Sequence, residues 1–226
     1  MNLIPENLLI NVEQLKSQLL KMKTTKEHFK IPYTQQQVTD MLRAAVMAEV
    51  SYRNRTFSEP PELTNSIQAI AHWLRIRPTI GLLICGMPGN GKSTILKAVT
   101  TLVNYLCPTD LIGNNLQIRS VGARDIVEAA TKDGLLYKQY SSTAMLAIDD
   151  IGTEPTEIID YGNILTPLVD LLYKRYDEQL FTIITTNLAP KDVREKYNER
   201  IADRFNEMMT KIVFRNPSFR KNQTIE

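Results

Sequence analysis

Residues 86–94 read Gly-Met-Pro-Gly-Asn-Gly-Lys-Ser-Thr, a set of residue types whose joint chemistry is anion capture. Glycines let successive backbone N–H groups turn inward around a phosphate. Lys92 adds a point charge for the β- and γ-phosphates, and the Ser93 hydroxyl suits a bound Mg²⁺. A helix starting at Lys92 aims its positive end at the same anion. Gly86, Pro88, Gly89, Asn90, Gly91, Lys92, Ser93 and Thr94 are therefore candidate ATP contacts, with Ser93 a candidate Mg²⁺ ligand. Residues 144–150, AMLAIDD, form an apolar run ending in two acids. There Asp149 holds the metal, directly or through water, and Asp150 polarises the attacking water. Residues 180–187, LFTIITTN, deliver Asn187 at the end of a third apolar run. Its amide either orients a water against the γ-phosphate or caps the helix that Pro190 opens.

Positioning these groups requires a strand before each of them. From Ile80 onward strand-like runs recur at 80–85, 116–121, 144–149, 180–185 and 211–214. Helical stretches lie between them at 92–106, 123–131, 161–177, 190–196 and 199–209. Such alternation predicts an α/β fold, a parallel sheet sandwiched by helices. Ahead of it, Leu8, Leu9, Val12, Leu15, Leu19, Leu20 and Met22 recur at helical spacing, and a second helix covers Gln35 to Arg53. Residues 53–63, with Pro60 and Pro61, read as a linker; a third helix follows over 64–75, closed by Pro78. The expected division is an N-terminal helical, partner-binding region with its linker over 1–63, and a nucleotide-handling domain over 64–226.

The 226 residues suffice for one α/β domain with an appendage. Residues 81–190 carry eight Lys/Arg against twelve Asp/Glu, whereas the flanks are mildly basic, which permits nucleic-acid contact without demanding it. Cys85 and Cys107 alone build neither a disulfide framework nor a zinc cluster. With no long apolar stretch and no signal-peptide pattern, a cytoplasmic protein without membrane contact is expected.

The residues at this point resemble the AAA+ ATPases, more narrowly the DnaC and IstB-like helicase-loader group. The resemblance spans about 64–220 and rests on GMPGNGKST, AIDDIGTEP at 147–155, ITTNL at 184–188 and ERIADRF at 199–205. It implies ATP hydrolysis with Mg²⁺ and a homo-oligomer in the ATP-bound state. The implied protein partner is a replicative helicase or a transposase, and single-stranded DNA is a further implied ligand. Asn187 matches the residue called sensor 1. Arg204 matches the arginine finger, with Arg200 as the nearby alternative, and Arg220 in NPSFRK matches sensor 2. The chain carries no N-terminal cysteines for a zinc module, and with six residues after Arg220 a full helical lid is not expected.

Arg200 and Arg204 sit four apart beside Glu199, Asp203 and Glu207, a pattern that also makes surface ion pairs. The cluster Tyr52-Arg53-Asn54-Arg55-Thr56-Phe57 faces DNA or nucleotide, or is a solvated helix end. Trp73 reads as core or adenine-pocket packing, and His28 and His72 as non-catalytic. Two other activities share the loop, a small-metabolite kinase and a binder that does not hydrolyse ATP. The adjacent acids and the Thr-Thr-Asn strand end argue against the kinase.

Overall fold

The computed structural model describes residues 11–22, 30–106, 109, 115–160 and 162–220. Leu8, Leu9, His28 and Cys107 lie outside them. Three helices come first, α1 (Val12–Met22), α2 (Gln35–Ser51) and α3 (Pro61–Ile76). Then β1 (Gly81–Gly86), α4 (Lys92–Leu106), β2 (Ile118–Gly122), α5 (Ala123–Lys132), α6 (Gly134–Ser142) and β3 (Met145–Ile151) follow. The rest is β4 (Ile158–Asp160), β5 (Asn163–Leu165), α7 (Pro167–Asp177), β6 (Phe181–Thr186), α8 (Pro190–Tyr197), α9 (Glu199–Met208) and β7 (Met209–Phe214).

Five strands pair in parallel in the order β2-β3-β6-β1-β7. Side chains alternate across a strand, so each strand feeds two cores. Leu82 and Ile84 of β1 bury against α2, α3 and α4, whereas Leu83 and Cys85 bury against the layer of α5, α7, α8 and α9. The expected sandwich is therefore the observed one. Thr34 and Gln37 form a capping box that starts α2, and Val38, Leu42 and Val46 of that helix join the first core. Trp73 is core, its ring centroid 5.5 Å from that of Phe181, and His72 is exposed.

Two local expectations are corrected, and one helix, α6, has no counterpart among them. The helix expected over 161–177 starts at Pro167, because β4 and β5 pair as an antiparallel hairpin ahead of it. Proline is favoured in the first helical turn and ends the strand pattern there. Residues 134–142 form α6, started by the Asp133 side chain accepting from the Leu136 N–H at 3.0 Å. The presumed linker ends at Pro60, since Pro61 is already the first residue of α3. Among the described residues no helix is long and apolar enough to cross a membrane.

Candidate functional site

The strands bearing the loop and the acid pair, β1 and β3, are not neighbours; β6 runs between them. In an open parallel sheet this brings the three carboxyl ends to one crevice. Asn187, just past β6, bridges the two sides. Lys92 Nζ donates to Asn187 Oδ1 at 2.7 Å, and Asn187 Nδ2 donates to Asp150 Oδ1 at 2.8 Å. A second chain runs beside it. Ser93 Oγ donates to Asp149 Oδ1 at 2.9 Å, and Thr185 Oγ1 donates to the same oxygen at 2.5 Å while accepting from the Asp150 N–H at 2.8 Å.

The acids diverge because β3 is irregular there. Its register on β6 shifts between Ile148 and Ile151, and Asp150 adopts a left-handed φ of 59°. Asp149 thus turns towards Ser93 and Asp150 towards Asn187. Thr186 holds the far side of the irregularity, its hydroxyl donating to the Ile151 carbonyl at 2.8 Å. Beyond it the buried Glu154 accepts from the Gly152 N–H at 2.8 Å and from the Tyr197 hydroxyl.

Lys92 is held inside the loop by the carbonyls of Gly86 at 2.8 Å and Met87 at 2.9 Å and by Asn90 Oδ1 at 3.2 Å. The segment after β7 braces the loop from outside. Asn216 Nδ2 donates to the Asn90 carbonyl at 3.0 Å, and the Phe219 N–H donates to the Gly89 carbonyl at 2.9 Å. Gly89 has φ 84° and its Cβ would lie 2.2 Å from Ser218 Oγ, so only glycine fits under this brace.

Between loop, brace and α2 lies a cleft of about 690 Å³. Lys92, Asp150 and Asn187 line one end, and Val46, Val50, Phe57, Leu63 and Phe219 supply apolar wall. Its size and division suit an apolar ring joined to a phosphate chain. The donors also fit Mg²⁺. The Ser93 hydroxyl and the Asp149 carboxylate are hard oxygens, and no cluster of three His, Cys, Asp or Glu side chains exists among the described residues. Mg²⁺ takes one or two protein oxygens and completes its shell with phosphate and water.

Electrostatics follow from this crowding. Burial pushes the Lys92 ammonium below its ordinary range, with Asp150 and then Asp149 opposing. Burial raises the Asp150 carboxyl, and the neighbouring Asp149 charge raises it further. A carboxylate that holds its proton more firmly than usual is the stronger base once ionised.

Arg220 also lines the cleft, close enough for its charge to act on both Lys92 and Asp150. Arg204 and Arg200 lie elsewhere, on α9. The Arg204 guanidinium stacks 4.4 Å from the ring centroids of both Tyr173 and Tyr176 and reaches Asp177 at 3.3 Å. Arg200 lies over Tyr173 at 5.2 Å. Neither borders the cleft of its own chain.

Sequence reasoning does not single out Thr185, Asn216 or Glu154 as site residues, whereas Arg53 and Arg55, of the cluster expected to face DNA or nucleotide or to be a solvated helix end, line the cleft. Thr185 is legible only as the hydroxyl two positions before Asn187. Its replacement by valine removes the group that orients both acids at nearly constant volume. We expect Thr185→Val to lower kcat by roughly 10- to 100-fold, the 1–3 kcal/mol of a buried polar group left unpaired. The Mg²⁺ concentration for half-maximal turnover should rise with it, and Thr185→Ser should restore both. A Mg²⁺ titration of turnover that is unchanged in the valine variant contradicts this role.

The strand order and the loop, acid and amide positions define a P-loop fold of the AAA+ kind. Among solved structures, the chain is similar to the DnaC helicase loader, with TM-score 0.56 and 20% identity over 71% of this chain and 94% of that one. DnaI is similar with TM-score 0.55 and 16% identity, over 79% of this chain and 92% of that one. AMPPCP-bound DnaA from Aquifex aeolicus gives TM-score 0.50 and 18% identity, over 69% of this chain but 48% of that one. At these identities the likeness is one of fold. No protein-family model matches the sequence, and no curated protein matches it significantly.

Proposed function

We propose that this protein is an ATP-hydrolysing assembly switch of the helicase-loader type, acting in DNA replication in the cytoplasm. One observation carries the reading: Lys92, Asn187 and Asp150 form a continuous hydrogen-bonded chain at the mouth of the loop, with Ser93 and Asp149 paired beside it. In this reading the loop N–H groups and Lys92 grip the phosphates, and Ser93 and Asp149 hold Mg²⁺. That ion neutralises charge on the phosphate oxygens when bound. Asn187 aims a water, and Asp150 accepts its proton as the oxygen attacks the γ-phosphorus and ADP leaves. Arg220 adds charge in cis. The fold shared with the DnaC helicase loader and with AMPPCP-bound DnaA supports nucleotide-dependent work on a helicase; single-stranded DNA is the further ligand we propose. The helical region before residue 64 is the proposed partner-contacting part.

Arg204 is the proposed finger, entering the site of a second copy of the chain. Its stacking on Tyr173 and Tyr176 then describes the isolated subunit, and assembly draws it out. Turnover per subunit should rise with protein concentration and with oligo(dT) in wild type. Arg204→Ala should lose that rise, a deficit of about 10²-fold or more at assembling concentrations. Mixing Arg204→Ala with Lys92→Ala subunits should recover part of it, since the second still offers a finger. Wild-type turnover by Arg204→Ala at every concentration excludes the finger, and absence of phosphate release from wild type excludes hydrolysis.

A further inference from the structure

The cleft carries more positive charge than Lys92 supplies. Arg53 and Arg55, in the turn that ends α2, line it together with Arg220. Among the described residues none of these four cations lies within ion-pair distance of a carboxylate, whereas Arg43, Lys132, Arg194 and Arg204 each do. Like charges gathered at one rim repel, and the arrangement becomes favourable when a polyanion lies among them.

The turn that ends α2 places Arg53 and Arg55 at this rim. The Arg53 and Arg55 N–H groups both donate to the Val50 carbonyl, at 3.1 and 3.3 Å, and Asn54 between them takes a left-handed φ of 53°. The chain thereby folds back over the cleft, and Arg53 Nη1 donates to Thr94 Oγ1 at 2.8 Å. Thr94 lies one residue past Ser93, in the first turn of α4. A nucleotide with its ring in the apolar wall and its last phosphate at Lys92 must run its inner phosphates past this turn.

We propose that Arg53 is a nucleotide-binding residue, exchanging the Thr94 hydroxyl for the non-terminal phosphates of a nucleoside di- or triphosphate. The exchange ties the end of α2 to site occupancy, so a helix outside the sheet senses whether the loop is filled. This inference rests on the nucleotide reading above and deepens it. An uncharged hydroxyl is a weak partner for a guanidinium, and a phosphate oxygen is a charge-assisted one, so the ligand wins the exchange.

The test titrates the full chain with MgADP by calorimetry for wild type, Arg53→Ala, Arg53→Gln and Arg53→Lys. Hydrogen exchange of α2 is followed in parallel. The alanine and glutamine variants should bind MgADP about tenfold more weakly, the worth of one charge-assisted hydrogen bond, with lysine intermediate. MgADP should slow exchange at the last turn of α2 in wild type and not in Arg53→Ala. Wild type that binds no MgADP defeats the nucleotide reading and this inference together. Wild-type affinity in both the alanine and glutamine variants defeats the Arg53 assignment alone. Retained MgADP affinity with lost binding of fluorescent oligo(dT) gives the rim to nucleic acid and also overturns it.

Discussion

Lys92→Ala should weaken MgATP binding strongly while leaving the fold intact. The Lys92 ammonium meets four oxygens, those of Gly86, Met87, Asn90 and Asn187. These bonds do not make it a stabilising residue in the ligand-free chain. Burial holds its pKa below the ordinary range, so the charged form is less favoured in the folded chain than in the unfolded one. Alanine removes both the bonds and the buried charge, and these two effects oppose each other in stability. The melting temperature should move by no more than roughly 3 °C, about 1 kcal/mol for a chain of this size. Binding loses a charge-assisted contact worth about 1.5–3 kcal/mol, hence about 10- to 150-fold in affinity. Turnover loses a preorganised positive charge at the transferred phosphate, about 10²- to 10³-fold more. Lys92→Arg should not rescue, since a planar fork cannot satisfy acceptors converging on a point. Calorimetry and thermal melting read both halves, and an alanine variant with wild-type MgATP affinity contradicts the reading of the loop.

The loop was legible because its chemistry is local. Nine consecutive residues carry it, and the flanking apolar periods announce strand and helix, so the helix expected over 92–106 is the α4 observed. The sheet was legible for the same reason, each strand being an apolar run of its own. What was not legible depends on partners distant in the chain. Asn216 braces Asn90 across 126 residues and Thr185 meets Asp149 across 36, and neither pairing leaves a periodic trace. The β4–β5 hairpin was hidden because Asn163–Leu165 is a short run lying directly before a helix, so the helical period absorbed it. Arg175 was missed altogether. It is fully buried, with its guanidinium donating to Thr182 and to the carbonyls of Tyr140, Thr143 and Phe181, a role no spacing rule anticipates.

Topology explains why the three short motifs converge at all. Inserting β6 between β1 and β3 leaves a gap between loop and acids one strand wide, and Asn187 spans it with both ends of its amide. The carbonyl end suits an ammonium and the amino end a carboxylate, so an amide is the one neutral side chain of that length that joins them. Aspartate there would repel Asp150, and lysine would repel Lys92. The cleft also reaches the end of α2, where residues 53–63 read as a linker and residues 52–57 as a cluster facing DNA or nucleotide or as a solvated helix end. Pro60 and Leu63 are cleft wall instead, and Arg53 is its rim.

Asp150→Asn should stop hydrolysis and stabilise the ligand-free protein at once. Asp150 is non-glycine at φ 59°, and asparagine occupies that region with comparable ease, so the backbone gains no strain. The amide oxygen still accepts from Asn187 Nδ2, the bond Asp150 Oδ1 makes now. What changes is charge. The Asp150 pKa is raised in the folded chain, by burial and then by Asp149, so folding favours its protonated form. Its favourable contribution to stability is therefore full only below the ordinary carboxylate pKa of about 4 and is lost as pH rises through the raised folded value. At neutral pH the ionised group opposes folding, and a neutral asparagine removes that opposition. The melting temperature at pH 7 should rise, on the order of 2 °C, and the gain should vanish in acid. Without a base for the attacking water, turnover should fall about 10²- to 10⁴-fold while MgATP binding persists. In wild type the acid limb of kcat/KM should sit above the ordinary carboxylate range, and the asparagine variant should lack it. Turnover within about threefold of wild type removes Asp150 as the base. A lowered melting temperature shows instead that its charge holds the loop, and the two measurements separate the chemical role from the structural one.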